Sequence, residues 1–260
     1  MKESIGYRFQ KMSRLYHFTS FNAACKIIKS GRLRFSQSYK LNDLIESNRI
    51  VFEHVLSEEL LEGRNGLLAE AEMHKYQQIS FSQDREHDGM HFLGFDLHTM
   101  WGLYADKGYG VCLVFDKDKL TLSPGDYAND VKYYPIIPQY TDISNKSVNG
   151  IKAEVWRKKD DIFFCKRKEW EYEQEYRIIR RARLKNDIEF LDVSESLSFA
   201  IICKDQNISG FQSMFDSEYY WELRNLNKRV PVLTYENDLD GYTLFEKFMV
   251  PIWAEQCGYL

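Results

Sequence analysis

Gly108-Tyr109-Gly110-Val111-Cys112-Leu113-Val114-Phe115-Asp116 carries the clearest element of the chain. Val111 to Phe115 is an unbroken apolar run, the pattern of a strand covered on both faces. Before it, Thr99 to Asp106 reads as a short helix capped by Thr99. Further back, Gln78 to Gln83 reads as a strand, with Ile79 and Phe81 on one face and Ser80 and Ser82 on the other. Near the start, Leu15 to Thr19 is a β-like run followed by Ser20 as a helix N-cap. Phe21, Ala24, Cys25 and Ile28 then form one apolar stripe, and Gly31 is placed to stop that helix. Leu33 to Ser36 suggests another short strand, Asn42-Asp43 a loop, and about 45–76 a helical stretch interrupted near Gly63 to Gly66.

On the other side, Asp130 to Tyr134 is a strand candidate ended by Pro135 and Pro138. Val148 to Lys168 predicts a long charged helix. Glu173 to Arg183, Ile188 to Asp192, Leu197 to Lys204 and Val230 to Tyr235 predict strands, with a helix from Ser209 to Leu226. Strands and helices do not alternate in regular βαβ order, which argues α+β and against a doubly wound parallel sheet. The Gly-rich phosphate fingerprints of Rossmann and P-loop proteins are absent from the sequence.

A chain of 260 residues with 44% hydrophobic and 28% charged side chains supports a sizeable core and excludes wholesale disorder. The 35 basic and 39 acidic residues sum to −4, so a strong global field for nucleic acid is missing. Lys152 to Arg183 is rich in Lys and Arg, but interleaved glutamates make it read as a solvated face. The five cysteines, Cys25, Cys112, Cys165, Cys203 and Cys257, include no CxxC pair, which argues against a zinc knuckle or thioredoxin-type motif. No metal is called for. The N-terminal residues lack a signal-peptide apolar core and no run approaches the ~20 residues of a membrane span, so no membrane contact and a cytoplasmic location are expected.

Four constellations carry candidate chemistry. Leu15-Tyr16-His17-Phe18-Thr19-Ser20 puts His17 and Thr19 on one strand face before a helix N-terminus, where unpaired N–H groups suit phosphate; His17 either donates to a ligand there or is a core histidine satisfied by backbone. Ser80-Phe81-Ser82 offers two hydroxyls on one face. Met100-Trp101-Gly102-Leu103-Tyr104-Ala105-Asp106 places Trp101 and Tyr104 on one helical side, either walling a pocket or sealing the core. In Trp170-Glu171-Tyr172-Glu173-Gln174-Glu175-Tyr176-Arg177, a strand would line up Glu171, Glu173, Glu175 and Arg177, a row that either sits on a solvated edge strand or, in a cleft, stabilises a cationic transition state.

These phrases, with Leu41-Asn42-Asp43, Ile79 to Ser82 and Gly110 to Asp116, resemble in order and spacing a bacterial family of unknown function, number 2971, from about residue 14 to 180. The layout is also similar to the ADP-ribosyltransferase superfamily, in which a first strand carries His or Arg, a second a Ser motif, and a later strand a catalytic Glu, often as Glu-x-Glu. The match departs in reading Ser-Phe-Ser rather than Ser-Thr-Ser, behind a helical insertion.

That likeness implies one domain over 1–260 with an insertion at about 45–76, built as a split β-sandwich of two small antiparallel sheets with surrounding helices. It implies NAD as substrate, no metal, and transfer to a macromolecular acceptor, protein or nucleic acid. Toxin or antiviral defence roles, with a cognate antitoxin or defence-system partner, follow from the same likeness. Glu175 would stabilise the oxocarbenium-like ribose, Glu173 would serve the acceptor, and His17 would hold the adenosine-side ribose or phosphate. Tyr16, Thr19, Ser20, Ser80, Ser82, Trp101, Tyr104 and Arg177 would complete the NAD-binding set, with His17, Ser82 and Glu175 lining one pocket. An NAD hydrolase and a non-catalytic nucleotide- or protein-binding module are the alternatives. On this reading Glu175→Gln should leave folding nearly intact while cutting nicotinamide release by ~10²-fold.

Overall fold

The computed structural model describes residues 12–37, 60–87, 90–137, 147–182, 187–203, 212–238 and 241–245. Leu41-Asn42-Asp43, the first part of the expected insertion (45–59) and Cys257 lie outside the described residues. In chain order, β1 (Arg14–Thr19) leads to α1 (Phe21–Ser30), β2 (Arg32–Arg34), β3 (Ser36–Gln37), α2 (Leu60–Met73) and β4 (Tyr76–Ser82). The short strands β5 (Arg85–His87) and β6 (Met90–Phe92) precede α3 (His98–Tyr104), β7 (Val111–Asp116), β8 (Asp126–Asp130) and β9 (Lys132–Tyr134). Then come α4 (Val148–Arg157), α5 (Lys159–Phe163), β10 (Cys165–Arg167), a 3-10 helix (Lys168–Glu173), β11 (Glu175–Arg181), β12 (Phe190–Asp192) and β13 (Leu197–Cys203). α6 (Gln212–Leu226), β14 (Val232–Asp238) and β15 (Gly241–Phe245) complete the described elements. The class is α+β, as the irregular order of elements predicts.

The chain divides into two compact units, the first made of Met1–Arg32, Ser82–Thr121 and Asp192–Leu260, the second of Leu33–Phe81 and Leu122–Leu191. Within the first unit the strand order is β15-β14-β13-β7-β1, part of a nine-stranded sheet. All six residues of β7 are buried: Val111 to Phe115 as the apolar run requires, and Asp116 paired with Lys119 at 2.8 Å. β7 lies antiparallel between β1, with His17 opposite Leu113, and β13, with Ile201 opposite Cys112. β13 and β14 are parallel, so the expectation of purely antiparallel sheets is corrected here. Ser82, the last residue of β4, belongs to this unit and stands opposite Tyr16.

α1 forms where its local signals place it. The Ser20 hydroxyl accepts from the Ala23 N–H at 3.3 Å, and Gly31 closes the helix at φ 65, a left-handed conformation that Gly adopts without a Cβ clash. α3 starts differently from its prediction: Leu97, buried, is the N-cap and makes no side-chain cap bond, and Thr99 lies inside the first turn.

In the second unit β4, β11 and β8 are neighbours in that order, and β3 pairs with β4. Ala69, Met73, Tyr76, Ile151, Val155, Phe163, Phe164 and Ile179 bury one another between α2, α4, α5 and the sheet. The single long helix predicted from Val148 to Lys168 is broken after Arg157 and again after Phe163. Cys165–Arg167 instead pairs in parallel with Lys132–Tyr134, so a partner strand takes the backbone groups that a helix would have used.

Candidate functional site

The second unit holds the candidate site, and its origin is local. Glu171 and Glu173 do not continue a strand, as the alternation predicted, but lie in the 3-10 helix, and Gln174 turns the chain at φ 45 before β11 begins at Glu175. Side chains three apart eclipse in a 3-10 helix, which stacks Trp170 and Glu173 on one side. Both meet the Lys166 ammonium, which donates to Glu173 Oε2 at 2.7 Å and stands 4.4 Å from the Trp170 ring centroid. Glu171 is left in solvent. The charged row on one strand face is thereby reduced to Glu175 and Arg177.

Those two are joined by a fork. Arg177 Nε donates to Glu175 Oε1 at 2.8 Å and Nη2 to Oε2 at 2.7 Å, while Nη1 donates to the Phe163 carbonyl at 2.6 Å. Lys166 Nζ lies 3.7 Å from Glu175 Oε2. From β4, the Ser80 hydroxyl hydrogen-bonds the same carboxylate. The phenol oxygen of Tyr133, on β9, accepts from the Glu175 backbone N–H at 2.8 Å.

Lys166, Glu173, Glu175 and Arg177 are 4%, 3%, 5% and 1% exposed, so two cations and two carboxylates share one buried space with no net charge. The expectation that Lys152 to Arg183 is wholly a solvated face fails at Lys166 and Arg177. Burial alone would raise the Glu175 carboxyl. The charge and hydrogen bonds of Arg177, helped by Lys166 and Ser80, outweigh it and hold the group well below the usual carboxylate range. Burial, with the Glu175 and Glu173 charges behind it, keeps the Tyr133 phenol protonated far beyond its ordinary range.

In the first unit, His17 and Thr19 are half-buried on one face of β1. Tyr16 is wholly buried, and its hydroxyl donates to Asp84 Oδ1 at 2.7 Å. The same oxygen accepts from the Gly94 N–H at 2.9 Å, and Oδ2 takes Arg14 Nε at 2.8 Å and Nη2 at 2.7 Å. The Tyr16 hydroxyl is pushed far up, by burial first and then by the Asp84 charge. Ser20 caps α1, and Ser82 is buried. Trp101 is buried, donates its indole N–H to the Phe95 carbonyl at 2.7 Å, and meets Phe18 edge-on at 5.3 Å. It therefore seals the core of that unit, while Tyr104 is half-buried.

Of the residues singled out in the sequence, the structure brings Ser80, Glu173, Glu175 and Arg177 together in the second unit. Tyr16, His17, Thr19, Ser20, Ser82, Trp101 and Tyr104 belong to the first. Sequence reasoning missed Lys166, Tyr133, Arg14 and Asp84. A lysine seven and nine residues from its carboxylates, and partners 42 or 70 positions apart, leave no local periodicity to detect. The one available signal was the aromatic flank of the Glu-rich run, which points to burial and hence to buried counter-charges. Among the described residues, no helix is long and apolar enough to cross a membrane.

No curated protein and no solved structure matches the chain. Residues 100–178, from α3 into β11, match the model of a family described as "Protein of unknown function (DUF2971)", a span that includes the Lys166–Arg177 cluster and is shorter than the likeness drawn from about residue 14.

Proposed function

We propose that this protein is an NAD-dependent ADP-ribosyltransferase acting on a macromolecular acceptor, with Glu175 as its catalytic carboxylate. In that reaction the bond between ribose C1′ and the nicotinamide nitrogen breaks. Nicotinamide leaves with the bonding pair, an acceptor nucleophile attacks C1′, and one proton is released. Positive charge grows on the ribose in the transition state, and a fixed carboxylate beside it lowers the barrier. The observation that carries the reading is the setting of Glu175: ionised, buried, and held in place by the Ser80 hydroxyl and the Arg177 fork. A pre-oriented anion needs no reorganisation when the charge appears. The mixed α+β class of the chain is the coarser form of the split sandwich proposed with it. The NAD-binding roles of His17 and the other first-unit residues rest on the sequence likeness.

One observation favours a second reading. Both Glu175 oxygens are already engaged by Arg177, as in a purely architectural ion network, which suits a non-catalytic binding module. Incubation with NAD and chromatography for free nicotinamide separates the two. Glu175→Asp keeps the charge but withdraws the carboxylate by one methylene, and on the enzyme reading it lowers release by ~10²-fold. Release without acceptor labelling identifies a hydrolase. No release and no thermal shift with NAD identifies the module. An effector role is proposed with the transferase: induced wild-type expression arrests growth, and Glu175→Asp does not.

A further inference from the structure

We infer that Gln78 is a positioning residue for Glu175, acting through Ser80: its side-chain amide fixes the Ser80 hydroxyl so that the proton of that hydroxyl is directed at the Glu175 carboxylate. The inference deepens the proposed site and rests on that reading for its catalytic meaning.

The argument is one of donor and acceptor counts. Gln78 and Ser80 sit two apart on β4, hence on one face, and β4 neighbours β11, which carries Glu175. An ionised carboxylate only accepts hydrogen bonds, and a serine hydroxyl has one proton. Since Ser80 bonds Glu175, that proton is committed, and the group of Gln78 facing Ser80 has to be a donor. It is: Gln78 Nε2 donates to Ser80 Oγ at 3.3 Å. The relay runs in one direction, from amide to hydroxyl to carboxylate. Gln78 is 3% exposed, so water does not readily replace it. Without that amide the hydroxyl regains its rotation about Cβ–Oγ and turns to other acceptors. One of the contacts that hold the carboxylate in register is then intermittent.

Gln78→Met keeps length and apolar volume while deleting the donor. The test compares wild type, Gln78→Met, Ser80→Ala and the double variant, each first checked for a cooperative melt. The direct readout is the ¹³Cδ resonance of Glu175 at neutral pH, identified by its loss in Glu175→Asp. We expect Gln78→Met to move it in the same direction as Ser80→Ala, and the double variant to coincide with Ser80→Ala alone, because the amide acts only through the hydroxyl. An unmoved resonance in Gln78→Met, or additive shifts in the double variant, overturns the relay. The second readout is nicotinamide release, for which Gln78→Met lowers kcat by ~10-fold with KM unchanged. A relay seen in the resonance together with no release by wild type sinks the transferase reading alone. Release that survives in full beside an unmoved resonance sinks the relay alone.

Discussion

Replacing Glu175 by Gln preserves volume and removes one charge from a buried group of four. In the wild type the charges of Lys166, Glu173, Glu175 and Arg177 sum to zero. In the variant one positive charge is left uncompensated where Arg177 is 1% exposed. The two bonds of the fork, 2.8 and 2.7 Å, place the charge centres roughly 4 Å apart, an attraction of about 4 kcal/mol at an effective dielectric constant near 20. Removing one partner of a buried pair typically costs ~3–5 kcal/mol. The amide still accepts one guanidinium hydrogen bond, so the expected loss is about 3 kcal/mol, at the lower end of that range. That replaces the expectation from sequence that Glu175→Gln leaves folding nearly intact. In urea, with a slope of about 2 kcal/mol per molar, the unfolding midpoint should fall by about 1.5 M. Glu175→Gln combined with Arg177→Met restores neutrality and should be more stable than the sum of the single losses predicts, by at least ~1 kcal/mol. A midpoint shift under ~0.5 M for Glu175→Gln, or strict additivity in the double variant, refutes the idea that the four charges balance as a unit.

Three further outcomes are expected. Gly110→Ala would press a Cβ onto the Thr19 carbonyl oxygen and to 2.7 Å from the Ala105 backbone, neither of which can yield; it should cost ~3 kcal/mol or more, read as a lowered urea midpoint, and a neutral result would refute the close approach. Glu175 is depressed to about 2 in the folded chain against an unfolded value near 4.3, so its stabilisation is complete above about pH 4.5 and drains as the pH falls toward 2, with about 2 kcal/mol gone by about pH 3. Equal urea midpoints at about pH 6 and pH 3 would contradict that linkage. Ser20→Ala removes the oxygen that accepts the Ala23 N–H and should lower stability by ~1 kcal/mol, whereas Ser20→Asp should retain most of it; equal losses in both would assign the effect to something other than capping.

The parts of the fold that were legible are those whose cause is local. β7 announced itself because burial on both faces favours the unbroken apolar run Val111 to Phe115, and α1 because Ser20 and Gly31 do their work within a few residues of where they stand. Cys165–Arg167 was misread as helix because its pairing with Lys132–Tyr134 is long-range and overrides the propensity of a charged amphipathic stretch. The candidate site was half legible for a related reason. Alternation of Glu with aromatics flagged Glu173, Glu175 and Arg177, but alternation is equally compatible with a 3-10 turn. Only the Lys166 ammonium, by drawing Glu173 and Trp170 to one side, decides between them. The Lys152 to Arg183 run shows the limit of charge patterning. It counts charges without knowing which are matched in the interior, and Arg177, read as part of a solvated face, is among the most buried side chains described.

Asp84 receives four hydrogen bonds from three separate places: the Arg14 guanidinium, the Tyr16 hydroxyl and the Gly94 amide. Its acceptor capacity is spent. Heredity must then treat Arg14, Tyr16 and Asp84 as one character. A descendant that loses the carboxylate strands a guanidinium and a phenol together, so change at any one position selects for change at the others. Among diverging copies of this gene, these three codons should drift in step while their neighbours on the surface wander independently.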